Sequence, residues 1–201
     1  MKQLRIKHFK KPFLHTIIYN FFSESEMIEV ERELLSFTYN RDNYVVKDSH
    51  HDPLREEYKT DTFYLDDLYT NNRNQSSILK HTQKVFSMEK EGLLPKDKNP
   101  FLGYIGSSNV DYTYVSSYGN GSSYFEHVDS SLLTFLIPLY TIDKKFDGGE
   151  LVFTDYDFTP DMKHNSCLIF PGYEKHKLTP LVSDSSGYCR HSINRRINYK
   201  V

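Results

Sequence analysis

The sequence predicts a mainly β protein with flanking α-helices, built as a jelly-roll barrel of two packed layers, the double-stranded β-helix. Three observations predict it. Apolar residues recur at helical spacing in the first half, whereas from Asp111 onward they fall in short strand-like blocks. Clusters of Gly, Asn and charged residues separate those blocks at intervals that suit short strands. The chain holds 16 Tyr and 14 Phe but no Trp, an aromatic supply suited to pleated, half-buried surfaces. Short strands after an α-rich start pack most simply as two sheets with helices outside. At 201 residues one domain is expected, spanning 1–201. In it, 1–110 form an α-rich support with candidate substrate loops, and 111–201 form the jelly-roll core that carries the candidate chemistry.

In chain order, PFLHTIIYNFF reads as a strand, because Ile17, Ile18, Phe21 and Phe22 are apolar and β-prone. Ser23 then suits an N-cap, and Glu26, three positions on, completes a capping box. Met27, Ile28, Val30, Leu34 and Leu35 give the following segment an apolar helical face. The polar stretch 41–59 reads as loop, and a second helix is expected over about 76–91. Strands are expected over 112–118, 132–139, 150–154, 166–170 and 190–197. Gly148-Gly149 supplies a turn that only glycine makes without strain. Phe170-Pro171-Gly172 ends a strand, which puts His176 at a barrel mouth rather than in a packed interior.

Composition narrows the function. A formal net charge of −2 carries no whole-chain basic footprint for nucleic acid. Cys167 and Cys189 fit neither a disulfide framework nor a zinc spacing, and both read as buried thiols in apolar strands. The basic start MKQLRIKHFKKPF has no apolar signal region behind it, and no apolar run approaches a membrane span. A soluble, reducing, cytoplasmic setting with no membrane partner is the simplest expectation.

The chemistry-bearing residues lie in the second half. In YFEHVD, His127 and Asp129 are two positions apart, so on a strand their side chains share a face and can converge on one ion. His176 follows 49 residues later. Two His and one carboxylate on one side of a metal, with the remaining positions open, is the donor set of non-heme Fe(II) oxygenases. By itself H-x-D is weak, since chance His/Asp pairs are common.

Its surroundings are more specific. In order stand Tyr118-Gly119-Asn120-Gly121, Tyr124-Phe125-Glu126-His127-Val128-Asp129, Leu133-Thr134-Phe135-Leu136, Asp147-Gly148-Gly149-Glu150-Leu151, Leu168-Ile169-Phe170-Pro171, His176, and Arg190-His191-Ser192. Over roughly 85 residues this series resembles the Fe(II)/2-oxoglutarate oxygenase superfamily, especially its prolyl-4-hydroxylase-like branch. The resemblance implies a cupin-like jelly-roll with His127, Asp129 and His176 as iron ligands. It implies 2-oxoglutarate as cosubstrate and O2 as oxidant, with release of succinate and CO2, and it admits ascorbate as an accessory. Arg190 then anchors the distal carboxylate through its planar fork. Ser192, on the same strand face, and Tyr118 supply hydroxyl hydrogen bonds. A prolyl residue in a peptide or protein is the leading substrate.

Several positions depart from the pattern or stay open. The connection from His176 to Arg190 is long for the family and carries the insert Ser183-Asp184-Ser185-Ser186-Gly187, so Arg195 or Arg196 competes for the anchor role. On strand alternation Arg196 shares the face of Arg190 and Arg195 points away. Pro138 stands where prolyl hydroxylases often carry Tyr. An AlkB-like nucleic-acid dealkylase is the alternative, since Arg190-x5-Arg196 matches its Arg spacing, although Ser116 stands where that family has Asn. A third reading is a non-catalytic cupin-like metal-binding module. His50-His51 reads as a solvated pair, His164 as a turn residue, and His191 as pointing away from Arg190. Tyr124 lines the pocket or packs in the core.

Overall fold

The computed structural model describes residues 3–39, 60–140 and 144–200. The expected loop 41–59, with His50 and His51, lies outside the described residues. Twelve strands are described. A seven-stranded sheet contains β1 (Arg5–Phe9), β2 (His15–Tyr19), β3 (Thr60–Tyr64), β4 (Val110–Tyr118), β6 (Leu133–Tyr140), β9 (Ser166–Pro171) and β12 (Arg190–Asn198), in the order β1-β2-β9-β6-β12-β4-β3. Facing it are a three-stranded layer, β5 (Tyr124–His127), β10 (His176–Leu178) and β8 (Leu151–Phe153), and the pair β7 (Asp147–Gly148) and β11 (Leu181–Val182). Every pairing is antiparallel.

The large sheet is buried on both faces, so its central strands lack the apolar/polar alternation of a one-sided sheet. β6 reads LTFLIPLY and is buried through Leu139. Its residues Leu133, Phe135, Ile137 and Leu139 pack toward the helices with Ile193, Ile197 and Val115. Leu136 turns the other way, joining Ile17, Leu168, Phe170, Leu151 and Phe153 between the sheets. This second face carries the site.

Helix α1 (Glu24–Tyr39) starts at the expected capping box: Ser23 N–H donates to Glu26 Oε2 at 2.7 Å, and Glu26 N–H donates to Ser23 Oγ at 3.3 Å. The expected second helix is two, α3 (Ser77–Thr82) and α4 (Lys84–Lys90), with short α2 (Leu65–Leu68) before them and α5 (Gly103–Ser107) after. The break has a tertiary cause. Thr82 Oγ1 donates back to Ile78 O at 2.7 Å, and Arg195 donates to Thr82 Oγ1 at 2.9 Å and to Leu79 O at 3.5 Å. A buried guanidinium from β12 thus takes carbonyl capacity at the point where the helix would continue.

Two further expectations change. His176 does not stand at an open mouth: the chain turns at Gly172 and re-enters the second layer as β10, leaving His176 only 4% exposed against Phe153 and Phe170. Cys167 is buried in β9, but Cys189 is half-buried in the loop before β12 rather than in a strand. No described helix is long and apolar enough to cross a membrane.

Candidate metal centre

Two pieces of backbone geometry assemble the cluster. β5 and β10 are antiparallel neighbours in which His127 and His176 are direct partners, so their rings face each other with centroids 4.3 Å apart. Asp129 follows β5, with its N–H tied to Gly172 O at 2.7 Å in the turn before β10. The approach is tight enough that a Cβ on Gly172 would sit 2.2 Å from Ser131 O. One ligand atom from each of His127, Asp129 and His176 lies within 4.8 Å of the others, the one such group among the described residues.

The donor atoms are prepared for a cation. His127 Nδ1 lies 2.9 Å from Phe125 O, and His176 Nδ1 lies 2.8 Å from Glu174 O. A carbonyl only accepts, so each Nδ1 carries the proton and each Nε2 presents a lone pair. Those Nε2 atoms are 3.4 and 3.9 Å from Asp129 oxygens. Burial pushes the His176 imidazole down to about 4, helped by the adjacent His127, so it stays neutral at physiological pH. Burial would raise the Asp129 carboxyl, but the adjacent His127 ring, the Arg196 guanidinium and the hydroxyl donated by Thr134 together outweigh that and hold it at about 2. Two imidazoles whose Nε2 atoms face an ionised carboxylate fit a divalent ion.

The other expected residues lie along β12 and its neighbours. Arg190 is 3% exposed, pairs across the ladder with Tyr118 on one side and Tyr140 on the other, and has its guanidinium carbon 5.3 Å from the Tyr118 ring centre. It donates to Ser192 Oγ at 2.6 Å, and among the described residues no carboxylate forms an ion pair with it. Burial pushes the Tyr118 phenol up to about 12, so it remains a neutral donor. Tyr118 and Ser192 line the cavity shared with His127, Asp129 and His176, while Arg190 lines the adjoining cavity with Tyr140 and Glu150.

Arg195 faces the helices, as alternation requires, and pairs with Asp111. Arg196 is on the Arg190 face, but it reaches the metal end and donates to Asp129. His191 points away from Arg190, with Nδ1 2.8 Å from Ser117 Oγ. His164 is a turn residue whose Nδ1 accepts the Tyr140 N–H at 3.1 Å. Tyr124 both lines the cavity and packs on His127, at 4.8 Å between centroids. Unforeseen are Thr134, which donates to Asp129 Oδ2 at 2.5 Å, and Tyr114, Leu136 and Asn194, which line the cavity. Alternation within a strand would place Asn194 on the face of Ser192 and Tyr114 on that of Tyr118, whereas Thr134 and Leu136 join them only through the β12–β6 register.

No family model matches the chain, and no curated protein does. Solved structures do. A prolyl hydroxylase from Trichoplax adhaerens, in complex with a hypoxia inducible factor oxygen degradation domain peptide fragment, aligns over 92% of this chain and 83% of its own at 17% identity and a TM-score of 0.63. A Pseudomonas putida prolyl-4-hydroxylase aligns over 93% of both chains at 14% identity and 0.58. A viral collagen prolyl hydroxylase from Paramecium bursaria Chlorella virus-1, in its 2-oxoglutarate complex, covers 92% of this chain and 96% of its own at 13% identity and 0.54. At such identities the likeness is one of architecture: the chain has the jelly-roll fold of the prolyl-hydroxylase-like 2-oxoglutarate oxygenases.

Proposed function

We propose that the chain is an Fe(II)- and 2-oxoglutarate-dependent dioxygenase that hydroxylates a C–H bond, most directly that of a prolyl residue in a peptide or protein. The observation that carries this is the convergence of His127, Asp129 and His176 within 4.8 Å. It stands beside a buried Arg190 that has no carboxylate partner among the described residues. Glu150 acts on it only at a distance, and a ligand carboxylate would relieve the cost of burying so weakly compensated a guanidinium. With iron, 2-oxoglutarate and O2 bound, the group supplies the oxidising power for hydroxylation, yielding succinate and CO2.

The chain's own residues have separate tasks. His127 Nε2, His176 Nε2 and an Asp129 oxygen hold the ion. The backbone carbonyls of Phe125 and Glu174 fix the two rings in the ligating tautomer. Arg190, with Ser192 and the Tyr118 hydroxyl, binds and orients the distal carboxylate of 2-oxoglutarate. Leu136 and Leu151 line the cavity between, where apolar walls exclude water from the reacting centre.

The prolyl substrate is favoured by the peptide-bound relative and by the Gly-Gly-Glu-Leu turn. The dealkylase alternative keeps one supporting observation, Arg190 and Arg196 on one face of β12. Anaerobic loading with Fe(II) and 2-oxoglutarate, then exposure to O2, tests both. Succinate release should be stimulated by proline-containing peptides and not by alkylated oligonucleotides; the reverse would favour the dealkylase. A protein that binds metal but never consumes 2-oxoglutarate would be the non-catalytic module.

A further inference from the structure

Asp129 is held at both of its oxygens. Arg196 donates from Nη2 to Oδ1, and Thr134 donates from Oγ1 to Oδ2 at 2.5 Å. These donors are cross-strand partners on β12 and β6, so they stand side by side on the inner face and meet the carboxylate as a pair. Ser131 Oγ lies 3.0 Å from Thr134 Oγ1, and with the Thr134 proton committed to Asp129, Ser131 is the donor there. Arg196 itself rests on the Tyr114 ring, its guanidinium carbon 5.0 Å from the centroid.

Three ligands do not require this arrangement. Two imidazoles and a carboxylate hold a divalent ion without help, and a fixed guanidinium beside them repels it. A carboxylate free to turn can also ligate through both oxygens and fill one more coordination position. We propose that Arg196 is a positioning residue that restricts Asp129 to one-oxygen ligation and offsets its charge, giving up metal affinity to keep coordination positions open for an anionic cosubstrate. The proposal rests on the oxygenase reading above.

The test needs no turnover. Co(II) is titrated into the parent chain and into Arg196→Gln, Arg196→Met and Arg196→Lys, in competition with a chelator. 2-Oxoglutarate binding to the Co(II)-loaded forms is then measured by calorimetry. Arg196→Gln should hold Co(II) at least about fivefold more tightly than the parent and bind 2-oxoglutarate at least about tenfold more weakly. Arg196→Met keeps the stem on Tyr114 and should shift both values in the same direction. Arg196→Lys keeps the charge and should stay within about twofold of the parent for Co(II). Equal or weaker Co(II) binding in both uncharged variants would overturn the proposal, because weaker binding is what simple loss of ligand support produces. A parent protein that binds neither Co(II) nor Fe(II) would remove the oxygenase reading, and this proposal with it.

Discussion

His127 and His176 come from partnered strands and Asp129 from the turn beside them, so each can be removed without taking the others' backbone support. Alanine at any of the three should weaken Co(II) or Fe(II) binding by at least about a hundredfold and remove 2-oxoglutarate consumption. His164→Ala should leave metal affinity within about twofold, because that imidazole serves the Tyr140 turn. A metal titration showing His164 equal to His176 would refute the ligand assignment. Arg190→Ala separates cosubstrate from metal. It leaves the ligands intact but removes a charge-assisted, forked contact of about 1.5–3 kcal/mol, so the 2-oxoglutarate constant should rise at least about tenfold at unchanged metal affinity. Lys at that position should restore the charge and only part of the affinity. Ser192→Ala should cost less, since it deletes a single hydroxyl hydrogen bond and leaves the guanidinium in place. Unchanged cosubstrate affinity in all three would leave the anchor unassigned. Arg190 and Ser192 were legible because strand alternation puts side chains two apart on one face; His127 and Asp129 were legible from the H-x-D motif, although Asp129 lies past the end of β5 rather than on a shared strand face. The clamp of Arg196 and Thr134 on Asp129 was not, because it joins three segments whose neighbourhood only the register defines.

Among the elements, the Gly148-Gly149 turn shows what the sequence could and could not disclose. Both glycines have left-handed φ, +73° and +67°, which the pair itself foretold. Invisible in the sequence was the neighbour: a Cβ on Gly148 would sit 2.0 Å from Pro180 O, where β7 meets β11. Gly148→Ala therefore combines backbone strain with a steric clash, and should lower unfolding free energy by about 2 kcal/mol or more. Urea unfolding checks this; a loss under about 0.5 kcal/mol would mean the turn is not needed. The strands missed in the sequence have physical reasons. β1, RIKHF, is an edge strand whose charges mask its pairing, and β7, β10 and β11 are only two or three residues long, too short for any period to declare itself. The capping box of α1 was legible because its contacts are local in sequence, whereas the split between α3 and α4 depends on Arg195, more than a hundred residues away.

Across the molecule, the strand order was beyond the sequence: β2, β9 and β6 are buried on both faces and could lie beside one another in any order, and the polar residues of β4 and β12 name no neighbour. Burial of the sheet also makes a prediction for acid stability. Burial, reinforced by the neighbouring Arg190 charge, pushes the His191 imidazole down to about 4. Between that value and its ordinary one near 6.5 the unfolded chain takes up a proton that the folded chain refuses. Its contribution to stability is therefore constant above about pH 6.5 and is lost progressively as pH falls toward 4. A loss on the order of 2 kcal/mol is expected from this residue. His191→Gln should flatten that part of the stability curve, measured by urea titration at a series of pH values. If parent and variant lose stability in parallel over that interval, His191 is not the source.

β12 carries Arg190, Ser192, Asn194 and Arg196 toward the cavity and His191, Ile193, Arg195 and Ile197 toward the helices. That arrangement gives the strand a parity. A single inserted residue near its start would exchange the two sets, turning Ile193 and Ile197 toward the candidate metal site and Arg190 and Arg196 into the helical core. Two inserted residues would keep the sets and merely move each arginine along by one pleat. Length changes along this strand are therefore tolerable only in even steps, and the distance between the two ends of the site changes in jumps, never by degrees.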